Sequence, residues 1–179
     1  MLNNAGLINK ERKETVDGLE EVFAINHIAY FLLTMLLLDR LKEANNSRIV
    51  NVSSGAHAFV KGFNFEDYQA KNLYKPFQVY GYSKLANIHF TKKLSDNLRE
   101  DNITVNSLQP GVVGTSFGQN NGNLQKTLFY IAKPFMRSSE KGAETSIYLC
   151  SSSDVSDISG KYFYNCKLAK TTKWAQSQD

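Results

Sequence analysis

The sequence of 179 residues has little cysteine and no run of like charges. Its two cysteines, Cys150 and Cys166, lie far apart without metal-ligand spacing, which argues against a disulfide framework and a zinc site. The 21 basic and 17 acidic residues are spread along the chain, so the formal net charge of +4 does not form a nucleic-acid-binding arm. We expect a protein of a reducing compartment such as the cytoplasm, without a nucleic-acid partner or a bound metal ion.

Two kinds of targeting segment are also absent from the sequence. The opening residues 1–6 contain no basic stretch followed by an apolar core, which a secretory signal needs. The most apolar segment, residues 22–38, contains Asn26, His27 and Thr34 and is shorter than the roughly 20 apolar residues of a membrane span. We therefore predict a buried helix there and no membrane span in this chain.

The order of the predicted elements indicates one α/β domain over residues 1–179, a length sufficient for a single core. Helices are predicted at residues 20–41, 79–100, 124–135 and 140–150, and strands at 48–54, 103–108 and 160–164. Residues 56–77 are predicted to form a long loop, with a short helix within it left open. Alternating helices and strands are typical of a parallel sheet covered on both faces, which binds ligands beyond the carboxyl ends of its strands. Ser54 and the Pro110-Gly111 turn fall at such ends.

Tyr80 and Lys84 lie four residues apart, so their side chains share one face of a predicted helix. A phenol with its usual pKa near 10 is a poor acid at neutral pH, but an ammonium within about 4–6 Å lowers that pKa. Tyr80 would then exchange a proton near the operating pH, as acid-base catalysis requires. Taken alone, the pair is weak evidence, because Tyr and Lys four residues apart occur by chance on many exposed helices, and a surface without function is then the favoured interpretation.

Five segments, in their order along the chain, resemble motifs of the short-chain dehydrogenase/reductase family. They are Asn3-Asn4-Ala5-Gly6, Asn26 in Phe23-Ala-Ile-Asn-His27, Val50-Asn-Val-Ser-Ser54, Tyr80-Gly-Tyr-Ser-Lys84 and Pro110-Gly-Val-Val-Gly-Thr115. The shared order and approximate spacing make the resemblance specific. It implies a Rossmann-like doubly wound parallel sheet and an NAD(P)-dependent oxidoreductase that interconverts an alcohol and a carbonyl.

The resemblance also implies catalytic roles. Tyr80 would protonate the carbonyl oxygen during reduction, and Ser54 would hydrogen-bond the same oxygen. Ser54 is preferred over Ser53 because the second serine is the catalytic one in the family and alternate strand residues face opposite sides. Lys84 would hold the nicotinamide ribose, and Asn26 would anchor a water in a proton relay. Asn26 and Ser54 also fit purely structural roles, as a satisfied helix residue and a turn-starting residue.

A second set of residues is implied to contact the cofactor, whose nicotinamide supplies or accepts the hydride. The set consists of Asn3, Ala5, Gly6, Tyr80, Lys84, Pro110, Gly111, Val113 and Thr115. Asn3 and Gly6 would close the strand turn near the cofactor, and Thr115 with the backbone of Val113 would contact its carboxamide and pyrophosphate. Tyr82 and Phe90 are expected to be packing residues.

Three longer segments resemble the retinol-dehydrogenase-like branch of the family. They are residues 26–34, 48–57 and 159–166. This resemblance implies an apolar alcohol, aldehyde or ketone such as retinal as substrate, and NADP as the commoner cofactor. The family commonly dimerises through the helices predicted at 20–41 and 79–100, which implies a homodimer.

The sequence departs from the family pattern at its start. A complete member has earlier strands and a glycine-rich phosphate-binding loop ahead of the Asn-Asn-Ala-Gly turn, whereas only Met1-Leu2 precede Asn3 here. We therefore expect a truncated, partial sheet that lacks its first strands and the residues that choose between NAD and NADP. Two alternatives stay open: a catalytically silent fragment that associates with a full-length relative, and epimerase or dehydratase chemistry with the same Tyr-Lys pair. Membrane association of a full-length parent would depend on a segment outside this sequence.

Overall fold

The computed structural model describes residues 1–44, 46–114 and 136–177, and these contain one five-stranded sheet. The strands follow the order β1 to β5: Leu2–Asn3, Arg48–Val52, Thr104–Leu108, Tyr162–Tyr164 and Lys167–Leu168. The first four strands are parallel, and β5 pairs with β4 in the antiparallel direction. The predicted α/β fold with a mostly parallel sheet is therefore confirmed, and within the described residues β1 is an edge strand.

Six α-helices are described, and several depart from their predicted bounds. They are α1 Glu21–Phe23, α2 Ala29–Leu36, α3 Leu38–Glu43, α4 Pro76–Asn97, α5 Ser139–Ser151 and α6 Lys173–Gln176. The helix predicted at 20–41 is not continuous, because a π-helical segment, Ala24–Ile28, separates α1 from α2, and Leu37 leaves helical geometry before α3. The loop predicted at 56–77 starts with a 3₁₀ turn, Gly55–Phe59. The helix predicted at 124–135 lies outside the described residues.

Local sequence signals explain where the helices begin. The carboxylate of Glu20 accepts hydrogen bonds from the backbone N–H groups of Val22 and Phe23, so that it caps the orphan donors of α1. Pro76 occupies the first turn of α4, where its missing N–H costs no helical bond. The hydroxyl of Ser138 caps α5 by accepting from the backbone of Lys141.

The sheet has an apolar core on each face. Side chains of β2 alternate between the two, because Val50 packs with Leu149 of α5 while Ile49 packs with Leu94 of α4. The α5-side cluster contains Val50, Val52, Leu108, Leu149, Val155 and Phe163. The α4-side cluster contains Ile49, Leu94, Leu98, Ile103 and Val105. Helices on both faces are the arrangement of a doubly wound sheet.

A chain of buried amides and hydroxyls also fixes α4 over the sheet. Asn51 of β2 accepts a hydrogen bond from the amide of Asn3 at 2.8 Å and donates to the hydroxyl of Thr91 at 2.9 Å. Thr91 in turn donates to the backbone carbonyl of Asn87 at 2.8 Å. Because a buried polar group without a partner costs about 1–3 kcal/mol, this network specifies how α4 sits on β1 and β2.

The apolar segment at residues 22–38 is only half buried, which corrects the prediction of a buried helix. Tyr30 and Thr34 face the interior, whereas Leu32, Leu33 and Leu36 are 53%, 49% and 72% exposed. On the inward side, Thr34 accepts a hydrogen bond from Asn3 of β1, and Tyr30 donates to the carbonyl of Ala5. The other side of the helix therefore presents apolar surface to solvent.

Candidate active site

A cleft of about 950 Å³ opens at the carboxyl ends of the parallel strands. Its walls come from the segments after β1, β2 and β3, from the first turns of α4 and from one face of α5. Parallel strands end at the same edge of a sheet, so residues far apart in sequence meet there. The cleft brings together eight of the predicted site residues: Ala5, Gly6, Ser54, Tyr80, Lys84, Pro110, Gly111 and Val113.

Tyr80 and Ser54 are joined by a hydrogen bond between their side chains. Ser54 follows β2 with extended backbone, and its hydroxyl oxygen also accepts from the backbone N–H of Ala56 at 3.2 Å. The hydroxyl of Ser53 instead donates to the backbone carbonyl of Lys84 at 2.7 Å. Of the two adjacent serines, Ser54 is therefore the one whose hydroxyl contacts Tyr80.

Lys84 lies one helical turn beyond Tyr80 and is almost fully buried. Its Nζ is 5.6 Å from the ring centroid of Tyr80 and 5.6 Å from that of Tyr30. The same Nζ donates to the carbonyl of Val52 at the end of β2, at 3.0 Å. The Tyr30 ring is held beside Lys84 by a hydrogen bond from its hydroxyl to the carbonyl of Ala5, at 2.8 Å. The ammonium therefore lies between β2 and the Tyr80 ring.

Burial shifts the pKa values of both groups toward their neutral forms. It raises the pKa of Tyr80 above its usual value, although the hydrogen bond from Ser54 opposes this shift. It lowers the pKa of Lys84 to about 8. The expectation that Lys84 lowers the pKa of Tyr80 below its usual value is therefore wrong for this structure. The physical reason is that burial removes hydration from the charged phenolate, and this loss outweighs the hydrogen bond from Ser54.

Asn26 lies behind the cleft, within the π-helical segment, and is fully buried. Its side-chain oxygen accepts from the backbone N–H of Leu7 at 2.8 Å, and its amide donates to the carbonyl of Leu7 and to the hydroxyl of Ser83. Its own carbonyl accepts from the amide of Asn87. The structure therefore places Asn26 where it ties the turn after β1 to α4, without lining the cleft.

The turn after β1 separates two neighbouring asparagines. Asn3, which the resemblance assigned to the cofactor, is buried and donates to Thr34 and Asn51. Asn4 lines the cleft instead. Gly6 lies close to Asn26 and Lys84, since a Cβ atom there would lie 3.1 Å from Oδ1 of Asn26 and 3.5 Å from Nζ of Lys84. A side chain at position 6 would therefore crowd the side chain of Asn26.

The loop after β3 closes the cleft on the side of α5. Gly111 has a φ of +83°, and a Cβ atom there would lie 2.8 Å from Nε of Arg137, so only glycine suits this turn. Val113 packs against Gly142 of α5, where a Cβ atom would lie 2.6 Å from the valine side chain. Thr115, the last residue of the predicted cofactor set, lies outside the described residues.

The sequence interpretation missed two contributors to this site. Small or apolar residues of α5 line the cleft, namely Ser139, Gly142, Ala143, Ser146, Ile147 and Cys150. Their spacing of three and four residues was a readable signal of one helix face. His57 was assigned no role, yet its Nδ1–H donates to the carbonyl of Ser54 at 2.7 Å and its ring packs edge-on against Tyr162. Burial lowers the pKa of His57, so the neutral ring holds the backbone of Ser54.

Two further features were sought among the described residues: a metal site and a membrane-spanning helix. The described residues contain no group of three or more His, Cys, Asp or Glu side chains arranged to hold a metal ion. Residues 1–44, 46–114 and 136–177 also include no helix with the length and apolarity to cross a membrane. Tyr82 and Phe90 do not line the cleft and pack against Phe63 and Phe31, respectively.

The comparison with known proteins agrees with this geometry. The family model of the short chain dehydrogenases matches residues 1–126. The chain is 41% identical to retinol dehydrogenase 12 of Mus musculus over 167 residues, which cover 93% of this chain and 52% of that protein. It is 43% identical to retinol dehydrogenase 14 of Homo sapiens over 170 residues, with 93% and 50% covered. The chain thus spans about half the length of the curated relatives it matches.

A solved structure shows the same fold with a cofactor bound. The landomycin C-6 ketoreductase LanV with bound NADP and rabelomycin is 25% identical, has a TM-score of 0.57, and is matched over 90% of this chain and 57% of its own. The motifs resembling this family fall around one cleft, and the family model covers more than half of the chain. The chain belongs to the short-chain dehydrogenase/reductase family and is similar in sequence to its retinol dehydrogenases.

Proposed function

We propose that the protein containing this chain is an NAD(P)-dependent oxidoreductase that interconverts an apolar alcohol and its carbonyl, with Tyr80 as proton donor and acceptor. The observation that carries the proposal is the contact between the side chains of Tyr80 and Ser54, with the Lys84 ammonium beside them, in the cleft at the strand ends. Two hydroxyls that meet in a cleft can both reach a single substrate oxygen.

Each of the three residues has a distinct task in reduction. The raised pKa of Tyr80 keeps its phenol protonated at neutral pH, so the phenol can donate its proton to the substrate oxygen. The hydroxyl of Ser54 donates to the same oxygen and stabilises the charge that develops there. Protonated Lys84 stabilises the phenolate left on Tyr80. We assign Asn26 the task of anchoring a water that returns a proton toward Lys84.

The cleft fits a nicotinamide cofactor, which supplies the hydride when it is bound. Its volume of about 950 Å³ suits a large ligand, and Gly6 and Gly111 leave backbone surface without side chains on two of its walls. Lys84 uses one of its three protons on the carbonyl of Val52, and the others are suited to the ribose hydroxyls. We propose that Asn3, Ala5, Gly6, Pro110, Gly111, Val113 and Thr115 form the cofactor side, with Asn3 acting by holding the turn.

The proposal also specifies an apolar substrate and a preference for NADP as the cofactor. The cleft has an apolar wall that includes Ala143 and Ile147 of α5 and Val113. The similar retinol dehydrogenases are named for an apolar alcohol, and the similar ketoreductase was solved with NADP. Retinal or another apolar aldehyde or ketone is therefore the substrate class we propose, with NADP preferred over NAD.

We further propose a homodimer, in a reducing compartment such as the cytoplasm. The exposed side chains of Leu32, Leu33 and Leu36 on α2 support the dimer, because contiguous apolar surface marks interaction sites. Cys150 and Cys166 are both free thiols, which suits a reducing compartment.

The proposal is tested by NADPH titration and turnover with retinal, comparing the chain as given with Tyr80→Phe. We expect the loss of the phenol hydroxyl to lower turnover by about 10²- to 10⁴-fold. Tyr82→Phe is the matched control, because Tyr82 lies on the same helix with its hydroxyl bonded to Gln78 outside the cleft. Unchanged turnover in Tyr80→Phe would refute the mechanism. If the chain shows no saturable NADPH binding, the silent-fragment alternative is favoured.

A further inference from the structure

The 3₁₀ turn that follows the candidate catalytic serine, Gly55–Phe59, packs tightly against its neighbours. A Cβ atom at Gly81 of α4 would lie 2.8 Å from the backbone oxygen of Ala56. A Cβ atom at Gly55 would lie 2.5 Å from Oε1 of Gln109, the residue after β3. The two glycines therefore let the turn approach α4 and the end of β3 more closely than larger residues would.

Within this turn, the side chain of His57 folds back onto Ser54. Its ring Nδ1 lies 2.7 Å from the carbonyl oxygen of Ser54, and its backbone N–H donates to the same oxygen at 3.2 Å. The His57 ring is buried and packs edge-on against Tyr162 of β4, with the ring centroids 5.2 Å apart. The hydroxyl of Tyr162 has no hydrogen-bond partner within the described part of the chain, so the two side chains meet through their rings. Strand β4 therefore supports the ring that holds Ser54.

The contact with Ser54 requires a particular tautomer of the His57 ring. A carbonyl oxygen accepts a hydrogen bond and cannot donate one, so Nδ1 must carry a proton. Burial lowers the pKa of His57, although the hydrogen bond to Ser54 opposes this shift. The ring is therefore neutral at neutral pH, with its single proton on Nδ1 and none on Nε2.

The backbone of Ser54 is anchored on both sides. Before it, the backbone N–H of Ser53 donates to the carbonyl of Leu108 at 2.8 Å. After it, the two donors of His57 converge on the Ser54 carbonyl. Because both flanking peptide groups are held, the direction of the Cα–Cβ bond of Ser54 is fixed, and the hydroxyl can take only the positions that staggered rotamers allow.

We propose that His57 is a positioning residue: by holding the carbonyl of Ser54, its ring keeps the Ser54 hydroxyl where it and Tyr80 reach one substrate oxygen. This inference rests on the oxidoreductase function proposed above. The hydroxyl oxygen of Ser54 accepts from the backbone N–H of Ala56, so its single proton is available to Tyr80 or to the substrate oxygen. His57 itself does not line the cleft, so it acts through Ser54 and contributes to turnover without contributing to cofactor binding.

A double-mutant cycle tests whether His57 acts through Ser54. His57→Phe keeps a ring against Tyr162 and removes the Nδ1–H donor. We expect it to lower kcat with retinal by about 10- to 100-fold, because misplacement of a reacting group by about 1 Å costs up to about 10²-fold. In a Ser54→Ala background, the same substitution should change kcat by less than about 2-fold, because the hydroxyl that His57 positions is absent. The Kd for NADPH should stay the same in all four proteins.

Two further variants separate positioning from a general loss of structure. His57→Asn places an amide N–H near the position of Nδ1 and should recover most of the lost kcat. His89→Asn, at a histidine of α4 that does not line the cleft, is the matched control and should keep the wild-type kcat. His57→Phe leaves the Ser54 carbonyl its backbone donor, so the fold should persist. If circular dichroism shows that this variant is unfolded, His57→Leu takes its place.

Imidazole nitrogen NMR of the isotope-labelled chain gives a measurement that needs no turnover. The sequence has three histidines, so the signals lost in His57→Asn belong to His57. We expect the neutral Nδ1–H tautomer at neutral pH, and the Nε2–H tautomer would overturn the inference. Equal losses of kcat with and without the Ser54 hydroxyl, or full activity in folded His57→Phe, would overturn it as well. A wild-type chain without turnover would count against the proposed function, and the tautomer would then decide this inference by itself.

Discussion

The burial of helices α2 and α4 is the opposite of what their composition predicts. Of the eight residues of α2, Ala29–Leu36, only one is polar, yet Leu32, Leu33 and Leu36 are about half or more exposed. Helix α4, Pro76–Asn97, is much more polar, yet it buries Ser83, Asn87 and Thr91 completely. Position relative to the sheet, more than hydropathy, decides which side chains are buried here.

This difference explains why the candidate active site lies on α4. A helix that presents polar groups to the interior must satisfy each of them, and the partners of α4 come from β2 and the π-helical segment. These bonds hold the backbone that carries Tyr80 and Lys84. The inward polar groups of α2, on Tyr30 and Thr34, have partners in β1 and in the turn after it. Its outward face carries apolar side chains that can serve as an interaction surface.

The largest difference in stability between the two helices is expected when one leucine on each helix is replaced by alanine. Leu94→Ala on α4 removes a side chain that is 4% exposed and should lower the free energy of unfolding by about 3 kcal/mol. Leu36→Ala on α2 removes one that is 72% exposed and should cost less than about 0.5 kcal/mol. Urea denaturation of both variants measures the difference. Equal costs would contradict the assignment of burial to the two helices.

The next largest change in the free energy of unfolding is expected from the buried hydrogen-bond network around Asn87. The amide of Asn87 donates to the carbonyls of Asn26 and Val52, and its oxygen bonds Nδ1 of His27. Asn87→Ala leaves these buried groups without partners and should lower the free energy of unfolding by about 2 kcal/mol. Asn97→Ala, at the exposed end of the same helix, is the control and should change it by less than about 0.5 kcal/mol. A negligible cost at Asn87 would mean that the network does not stabilise α4.

A smaller change in the free energy of unfolding is expected when the pH is raised. Lys84 has a folded-state pKa of about 8 against 10.5 for an ordinary lysine, so between these values the unfolded chain binds more protons. Stability therefore rises with pH in this window, by about 1–2 kcal/mol from pH 7.5 to 9.5 in the cofactor-free chain. Above pH 10 the raised pKa of Tyr80 acts in the opposite direction, so the measurement stops below it.

The control for this pH effect lies on the same helix. Lys84→Met should remove the rise in urea-denaturation midpoint, whereas Lys93→Met, at an exposed lysine, should retain it. If Lys84→Met keeps the full rise, another group titrates in this range and the assignment to Lys84 is wrong.

The smallest stability effect is expected on the outward face of α2. Leu33→Ser replaces a side chain that is 49% exposed, so the free energy of unfolding should change by less than about 0.5 kcal/mol. The proposed homodimer, by contrast, should dissociate more readily, which sedimentation velocity over a range of protein concentrations would measure. A monomer at all concentrations for both wild type and variant would refute the dimer.

Much of the fold followed from local patterns, and the misses have physical causes. The β-branched run at residues 48–52 and the Pro110-Gly111 turn were readable because they depend on neighbouring residues only. The π-helical segment was not readable, since Asn26 is held there by Leu7, Ser83 and Asn87, which are distant in sequence. The α5 wall of the cleft was missed because a stripe of small residues does not reveal which surface it faces.

The sequence by itself determined the α/β class, the family motifs and the pairing of Tyr80 with Lys84 on one helix face, because these follow from chain periodicity and residue identity. The tertiary structure brings Tyr80 into contact with Ser54, the serine that the sequence had favoured, and it alone decided that His57 holds the Ser54 backbone. It also decided that burial raises the pKa of Tyr80. A pKa depends on the hydration and contacts of a side chain, and those are set by segments that the local sequence does not specify.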